Sequence, residues 1–139
     1  MFKATQAIKD EFDRVGIKYR VVEDEKRCIV EAGFKSDAGT SVRVQFISRD
    51  DDNDVAVRAF SLASVPESKV PAVTKLANDS NLKYRYIKFV VDNDNDFNAE
   101  YDFPVRCENI GPACGEIFVR FMKIIDEVLP AVMKEIWRD

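Results

Sequence analysis

Between Ile17 and Ala59 the apolar residues fall on every second position in four successive runs, and no other feature restricts the fold so tightly. Ile17, Tyr19 and Val21 alternate with Lys18 and Arg20, and Cys28, Val30, Ala32 and Phe34 resume the pattern after the turn Glu23-Asp24-Glu25-Lys26. Val42, Val44 and Phe46 follow the turn Ser36-Asp37-Ala38-Gly39, and Val55, Val57 and Ala59 follow the acidic turn Arg49 to Asp54. A period of two places one set of side chains on one face of a strand, so four runs joined by tight polar turns predict an antiparallel meander with one face buried.

The flanking segments switch to helical spacing. Phe2 or Thr5, Ile8, Phe12 and Val15 define a first helix stopped by Gly16, which supplies the left-handed conformation a helix end favours. Val65-Pro66-Glu67 breaks the meander; Val70, Val73, Leu76 and Ala77 then predict a second helix with Ser68 as its cap and Pro71 in its first turn. Asn78-Asp79-Ser80-Asn81 ends it, with Asn81 as a left-handed cap. Tyr84 to Val91 and Phe97 to Val105 read as a second hairpin around residues 92–96. After a loop from Glu108 to Gly115, the apolar set from Ile117 to Trp137 predicts a long last helix that Pro130 kinks or divides. The expected architecture is one α+β domain over residues 1–139, with the order helix-β-β-β-β-helix-β-β-helix and the helices packed on one face of an antiparallel sheet.

Chemistry is sparser. The chain has 139 residues and no histidine, which removes Ser-His-Asp and Cys-His pairs, imidazole metal sites and the usual general base near neutral pH. Cys28, Cys107 and Cys114 are read as reduced thiols of a cytoplasmic protein; six residues separate the last two, too many for a zinc knuckle, so no metal or cofactor is expected. Asp50, Asp52 and Asp54, and again Asp92, Asp94 and Asp96, echo a calcium loop, but Val55 and Phe97 stand where its glycine is required, and Ser61 and Phe103 where its glutamate is required. Both are read as hairpin turns. Glu100 and Asp102 lie on the polar side of a strand, where pairing with Lys83, Arg85 or Lys88 is expected rather than acid/base work. Gly111-Pro112-Ala113-Cys114-Gly115 lacks the Lys-Ser/Thr of a phosphate loop and reads as a turn before a helix. The net charge of −4 gives nucleic acid no general electrostatic footprint, and no apolar run is long enough to cross a membrane. The turns at 23–27, 49–54 and 92–96 carry −1, −3 and −3, so the remainder of the chain is net positive.

Several strings resemble the YbjN-like family, described as bacterial sensory transduction regulators: Val15-Gly16-Ile17-Lys18-Tyr19, Leu76-Ala77-Asn78-Asp79-Ser80-Asn81, the strand Tyr101 to Val105, and Leu129-Pro130-Ala131-Val132-Met133-Lys134. That family is similar in fold to the type III secretion chaperones, although four strands rather than three precede the middle helix here. The resemblance implies a chaperone-like, non-enzymatic homodimer acting by protein binding, and it transfers no functional residue. The expected function is a protein-binding or regulatory domain using a sheet edge or helix surface. The alternative is a small-molecule sensor with a pocket between sheet and helices. Tyr84, Tyr86 and Lys88, from a run that interleaves basic and aromatic residues, together with Met122 and Trp137 on the last helix, are the candidate partner-binding residues.

Overall fold

A computed structural model describes residues 1–49, 54–104 and 109–139. Helix α1 (Lys3–Val15) leads into β1 (Tyr19–Glu23), β2 (Arg27–Lys35), β3 (Ser41–Arg49) and β4 (Asp54–Ser64). Helix α2 (Val70–Lys83), β5 (Lys88–Val91), β6 (Asp96–Pro104) and α3 (Ile110–Trp137) complete the chain. The six strands form one antiparallel sheet in the order β1-β2-β3-β4-β6-β5, so the meander stands as expected and the second hairpin joins it through β6. β1 and β5 are the two edges.

The register explains the alternation. Val21 pairs with Val30, Val30 with Phe46, Phe46 with Val57 and Val57 with Tyr101, which sets one row of apolar side chains across five strands on the helix-covered face. Phe12, Phe46, Phe89, Phe97, Phe121 and Leu129, each less than 2% exposed, fill the space between this face and the helices. The opposite face carries a polar row in which Arg20, Glu31, Gln45, Arg58, Glu100 and Lys88 stand in mutual register. Arg20 Nε donates to Glu31 at 2.8 Å, and Gln45 Nε2 donates to the other oxygen of Glu31 at 2.9 Å. Burial alone pushes the Glu31 carboxyl up, but these bonds and the nearby Arg43 charge outweigh it and hold the group below the usual carboxylate range.

Several sequence expectations need correction. The last helix begins at Ile110, before Gly111 and Pro112 rather than after Gly115. Gly111 is helical because it is a contact: a Cβ there would stand 2.5 Å from the Ala7 carbonyl oxygen, so its bare backbone lets α1 and α3 approach closely. Of the two outcomes expected at Pro130, division does not occur: α3 runs through it unbroken, with Pro130 on its exposed side. Ser68 is not the cap of α2, since it lies in a 3₁₀ turn (Glu67–Lys69) that runs directly into the helix. Asn81 does not end α2 either; the helix continues to Lys83 because the Asn81 side chain is engaged elsewhere. The strand expected from Tyr84 begins only at Lys88, and Val105 and Cys107 lie outside the described residues.

A bulge in β4 between Ala59 and Ala63 is pinned by Asn98, which is 4% exposed. Its Oδ1 accepts the Ser61 amide at 2.7 Å, and its Nδ2 donates to Asp92 Oδ2 at 2.8 Å. The extra residues of the bulge are thereby tied to the tip of the neighbouring hairpin.

Candidate partner-binding surface

The basic and aromatic run from Lys83 to Phe89 is split by the fold. Lys88 sits on β5, but its Nζ donates to the carbonyls of Asn81 at 2.9 Å and Tyr84 at 3.2 Å, closing the C-terminal end of α2 where the helix dipole favours a cation. Tyr84 turns towards α3 and donates its hydroxyl to Glu127 Oε2, which together with burial raises its pKa. Lys83 lies 5.1 Å from the Tyr84 ring centroid. These contacts occupy Lys88 and Tyr84 within the chain.

Tyr86 is different. Its φ of +72° is in the left-handed region, uncommon for a bulky aromatic residue, and its side chain is 45% exposed. The ring meets Tyr101 edge to face at 5.8 Å, and the Arg120 guanidinium lies 5.0 Å from its centroid. Tyr101 in turn meets Phe103 edge to face at 4.9 Å. Tyr86, Tyr101, Phe103, Ile117 and Arg120 line a cleft of about 110 Å³ between β6 and the start of α3. Arg120 is held from its other side by Glu116 at 2.9 Å, one helical turn earlier. The arrangement is a rigid aromatic and arginine rim around a hollow with room for a single side chain. Of this set the sequence reading singled out Tyr86 alone. Tyr101 and Phe103 were visible as apolar positions of an alternating strand, whereas nothing in the sequence marks Arg120.

Met122 and Trp137 are not part of this rim. Met122 is half-buried and packed against the core. Trp137 is 81% exposed at the far end of α3, fifteen positions on, which is about 22 Å along a helix axis. The structure therefore brings Tyr84 and Lys88 together at the end of α2 and places Tyr86, Met122 and Trp137 apart from them.

Of the acidic candidates, Asp92, Glu100 and Asp102 are engaged within the fold. Asp92 Oδ1 accepts the amides of Asp94 at 2.9 Å and Asp96 at 3.0 Å, and Asn98 holds its other oxygen. The Asp96 amide first, then Asn98, lower its pKa; this is the self-bonding turn expected of such residues. Asp50 and Asp52 lie outside the described residues. Glu100 and Asp102 form their ion pairs with Arg58 of β4, at 3.7 and 2.7 Å, and not with Lys83, Arg85 or Lys88, although Lys88 stands opposite Glu100 in the β5–β6 register. Arg58 stands directly across the ladder from Glu100, a relation created by the β4–β6 pairing that local sequence does not reveal. Cys28 and Cys114 are buried, and burial pushes the Cys28 thiol up, away from the thiolate. Among the described residues no group of metal-ligating side chains converges, and no helix is long and apolar enough to cross a membrane.

Comparison with known proteins bears on this surface only through the fold. The crystal structure of YbjN from E. coli, described as "a putative transcription regulator", superposes with a TM-score of 0.56 at 18% identity, covering 89% of this chain and 87% of that one. No curated protein matches the chain. A family model described as "Putative bacterial sensory transduction regulator" matches residues 6–128, nearly the whole length, and by that match the chain belongs to the YbjN family.

Proposed function

We propose that this chain is a non-enzymatic, cytoplasmic regulatory domain that works by binding a protein partner and that it acts as a homodimer. The observation that carries the partner-binding reading is Tyr86: an exposed aromatic ring on a left-handed backbone, fixed between Arg120 and Tyr101 at the mouth of a small cleft with aromatic and charged walls. A non-glycine residue in that conformation costs of order 1–3 kcal/mol and is kept where the surroundings enforce it. Tyr and Arg are also the residues that most often carry interface energy, and a ring already held in place loses little freedom on binding. At about 110 Å³ the cleft suits one partner side chain, whereas small-molecule pockets run to roughly 300–1,000 Å³. The interior between sheet and helices is occupied by phenylalanines, and the larger hollows, of about 400 to 680 Å³, are open depressions beside β1 and its turn rather than a pocket between sheet and helices.

The test is a photo-reactive amino acid at position 86, compared with the same group at Lys9 of α1. Cross-linking in native cells to a discrete partner from position 86, absent from position 9 and lost on Arg120→Ala, is the expected result. Identical patterns from both positions, or none from position 86, contradict the reading.

A further inference from the structure

The two edges of the sheet differ in whether their outward backbone groups are already used. The Asp92 amide bonds the Asp96 carbonyl, which fixes the phase of the β5–β6 ladder and turns the N–H and C=O of Phe89 outward. Both are taken by one side chain: Asn81 Oδ1 accepts the Phe89 amide at 2.7 Å, and Asn81 Nδ2 donates to the Phe89 carbonyl at 2.9 Å. A helix side chain thus stands in for the next strand.

Among the described residues no such device serves β1. The Asp24 amide bonds the Arg27 carbonyl, so in the β1–β2 ladder residues 20 and 22 face β2 and Tyr19, Val21 and Glu23 turn their N–H and C=O groups outward. Among the described residues no side chain reaches those groups. Hollows flank the edge on both faces, one beside Gly16 and Ile17 and one beside Gly33 and Arg43, leaving room for the alternating side chains of an added strand.

The charge along β1 indicates what that strand is. Lys18 and Arg20 stand at its beginning; Glu23, Asp24 and Glu25 stand at its end. Laid antiparallel against itself about a two-fold axis at Val21, the edge places Val21 opposite Val21 of the second copy, Tyr19 opposite Glu23 and Lys18 opposite Asp24. The outward phase at 19, 21 and 23 then matches in both copies, so each outward N–H finds an outward C=O. Moving the axis to Tyr19 sets Lys18 against Arg20, and moving it to Glu23 sets two glutamates face to face. We propose that β1 pairs with β1 of a second copy of this chain about Val21, joining two six-stranded sheets into one continuous sheet. This deepens the homodimer part of the proposed function and rests on it, and an isologous contact of this kind closes at two copies.

The test uses the full chain in two variants. Wild type is expected to scatter light at about twice its 15.9 kDa chain mass at micromolar concentration. Val21→Pro removes an outward amide and exchanges a half-buried valine for a ring of similar size, so it should fold with unchanged circular dichroism and weaken self-association at least about tenfold, since it takes away a donor at the centre of the contact and an edge proline discourages pairing. Val21→Cys is the register readout: residues opposite each other in a bonded antiparallel pair have Cα atoms about 5.5 Å apart, within disulfide reach, so mild oxidation should give a reducible covalent dimer. Glu23→Cys should give none, because its own counterpart is then distant. A wild-type monomer at all concentrations overturns the proposal, as does a dimer that survives Val21→Pro or a Val21→Cys variant that fails to cross-link. If Val21→Pro does not fold, Val21→Cys decides alone. Position 86 lies towards the opposite margin of the sheet, so its cross-linking result stands or falls separately.

Discussion

The β1 and β5 margins of this sheet are built from the same kind of hairpin and are finished differently. Each hairpin turns on an aspartate that bonds local amides: Asp24 accepts from Lys26 and Arg27, and Asp92 from Asp94 and Asp96. Beyond the turns the likeness ends. At β5, α2 lies close enough for Asn81 to serve both backbone groups of Phe89, while Lys88 reaches back to the helix end, so strand and helix close on each other. At β1, α1 is drawn instead towards α3 by the bare backbone of Gly111, and its Phe12 ring meets Tyr19 at 6.0 Å over one face of the strand without reaching its edge. An unpaired edge is a template for another strand, so proteins close it or use it. The difference teaches that a helix protects a sheet edge only if it carries a side chain of the right length and chemistry at the right height.

The strongest way to disturb this contrast is at the α1–α3 contact. Gly111→Ala drives a methyl group to 2.5 Å from the Ala7 oxygen, and we expect a loss of about 2–3 kcal/mol in urea unfolding, despite alanine's better helix propensity. Next is the clamp itself. Asn81→Ala strips two hydrogen bonds from a strand whose Phe89 is 1% exposed, with an expected cost of about 2 kcal/mol and a new tendency to associate through β5 as concentration rises, read by light scattering. Val21→Pro belongs at the low end, under about 1 kcal/mol in the same unfolding assay, because the amide it deletes turns away from β2 and has no partner among the described residues.

Acid makes a finer comparison. Asp24 is held below the ordinary aspartate range first by the Lys26 amide and then by the Arg27 side chain, and Asp92 first by the Asp96 amide and then by Asn98. A carboxyl group whose folded pKa is depressed contributes stability that is fully present above its unfolded value of about 3.9 and is lost as pH falls through the folded value. Both hairpin tips should therefore loosen below about pH 4, seen as shifts in the Lys26, Asp94 and Asp96 amide resonances. Loosening of one tip alone would show that the turns, and not only the edges, are built differently.

The order of elements was legible because it rests on local periodicity: the runs Val42-Val44-Phe46 and Val55-Val57-Ala59 can bury only one face, and their polar turns leave little choice of connection. What was illegible depends on neighbours distant in the chain. Gly111 and Gly115 look like loop residues until α1 is seen packed against them, and Asn81 looks like a helix end until Phe89 is seen bonded to it. Of the candidate surface, Tyr86 could be singled out as an aromatic residue in a polar context, but its partner Arg120 lies 34 positions away on another element. Lys88 is conspicuous in the sequence for its charge, and the fold uses that charge internally.

Hydrogen exchange followed across protein concentration tests the central contrast most directly. The Phe89 amide should be protected to the same degree at every concentration, since its acceptor is Asn81 of the same chain. The amides of Tyr19, Val21 and Glu23 should exchange rapidly in dilute solution and gain protection as concentration rises. Equal, rapid exchange at Phe89, or β1 amides whose exchange ignores concentration, would contradict the account of one closed edge and one self-pairing edge.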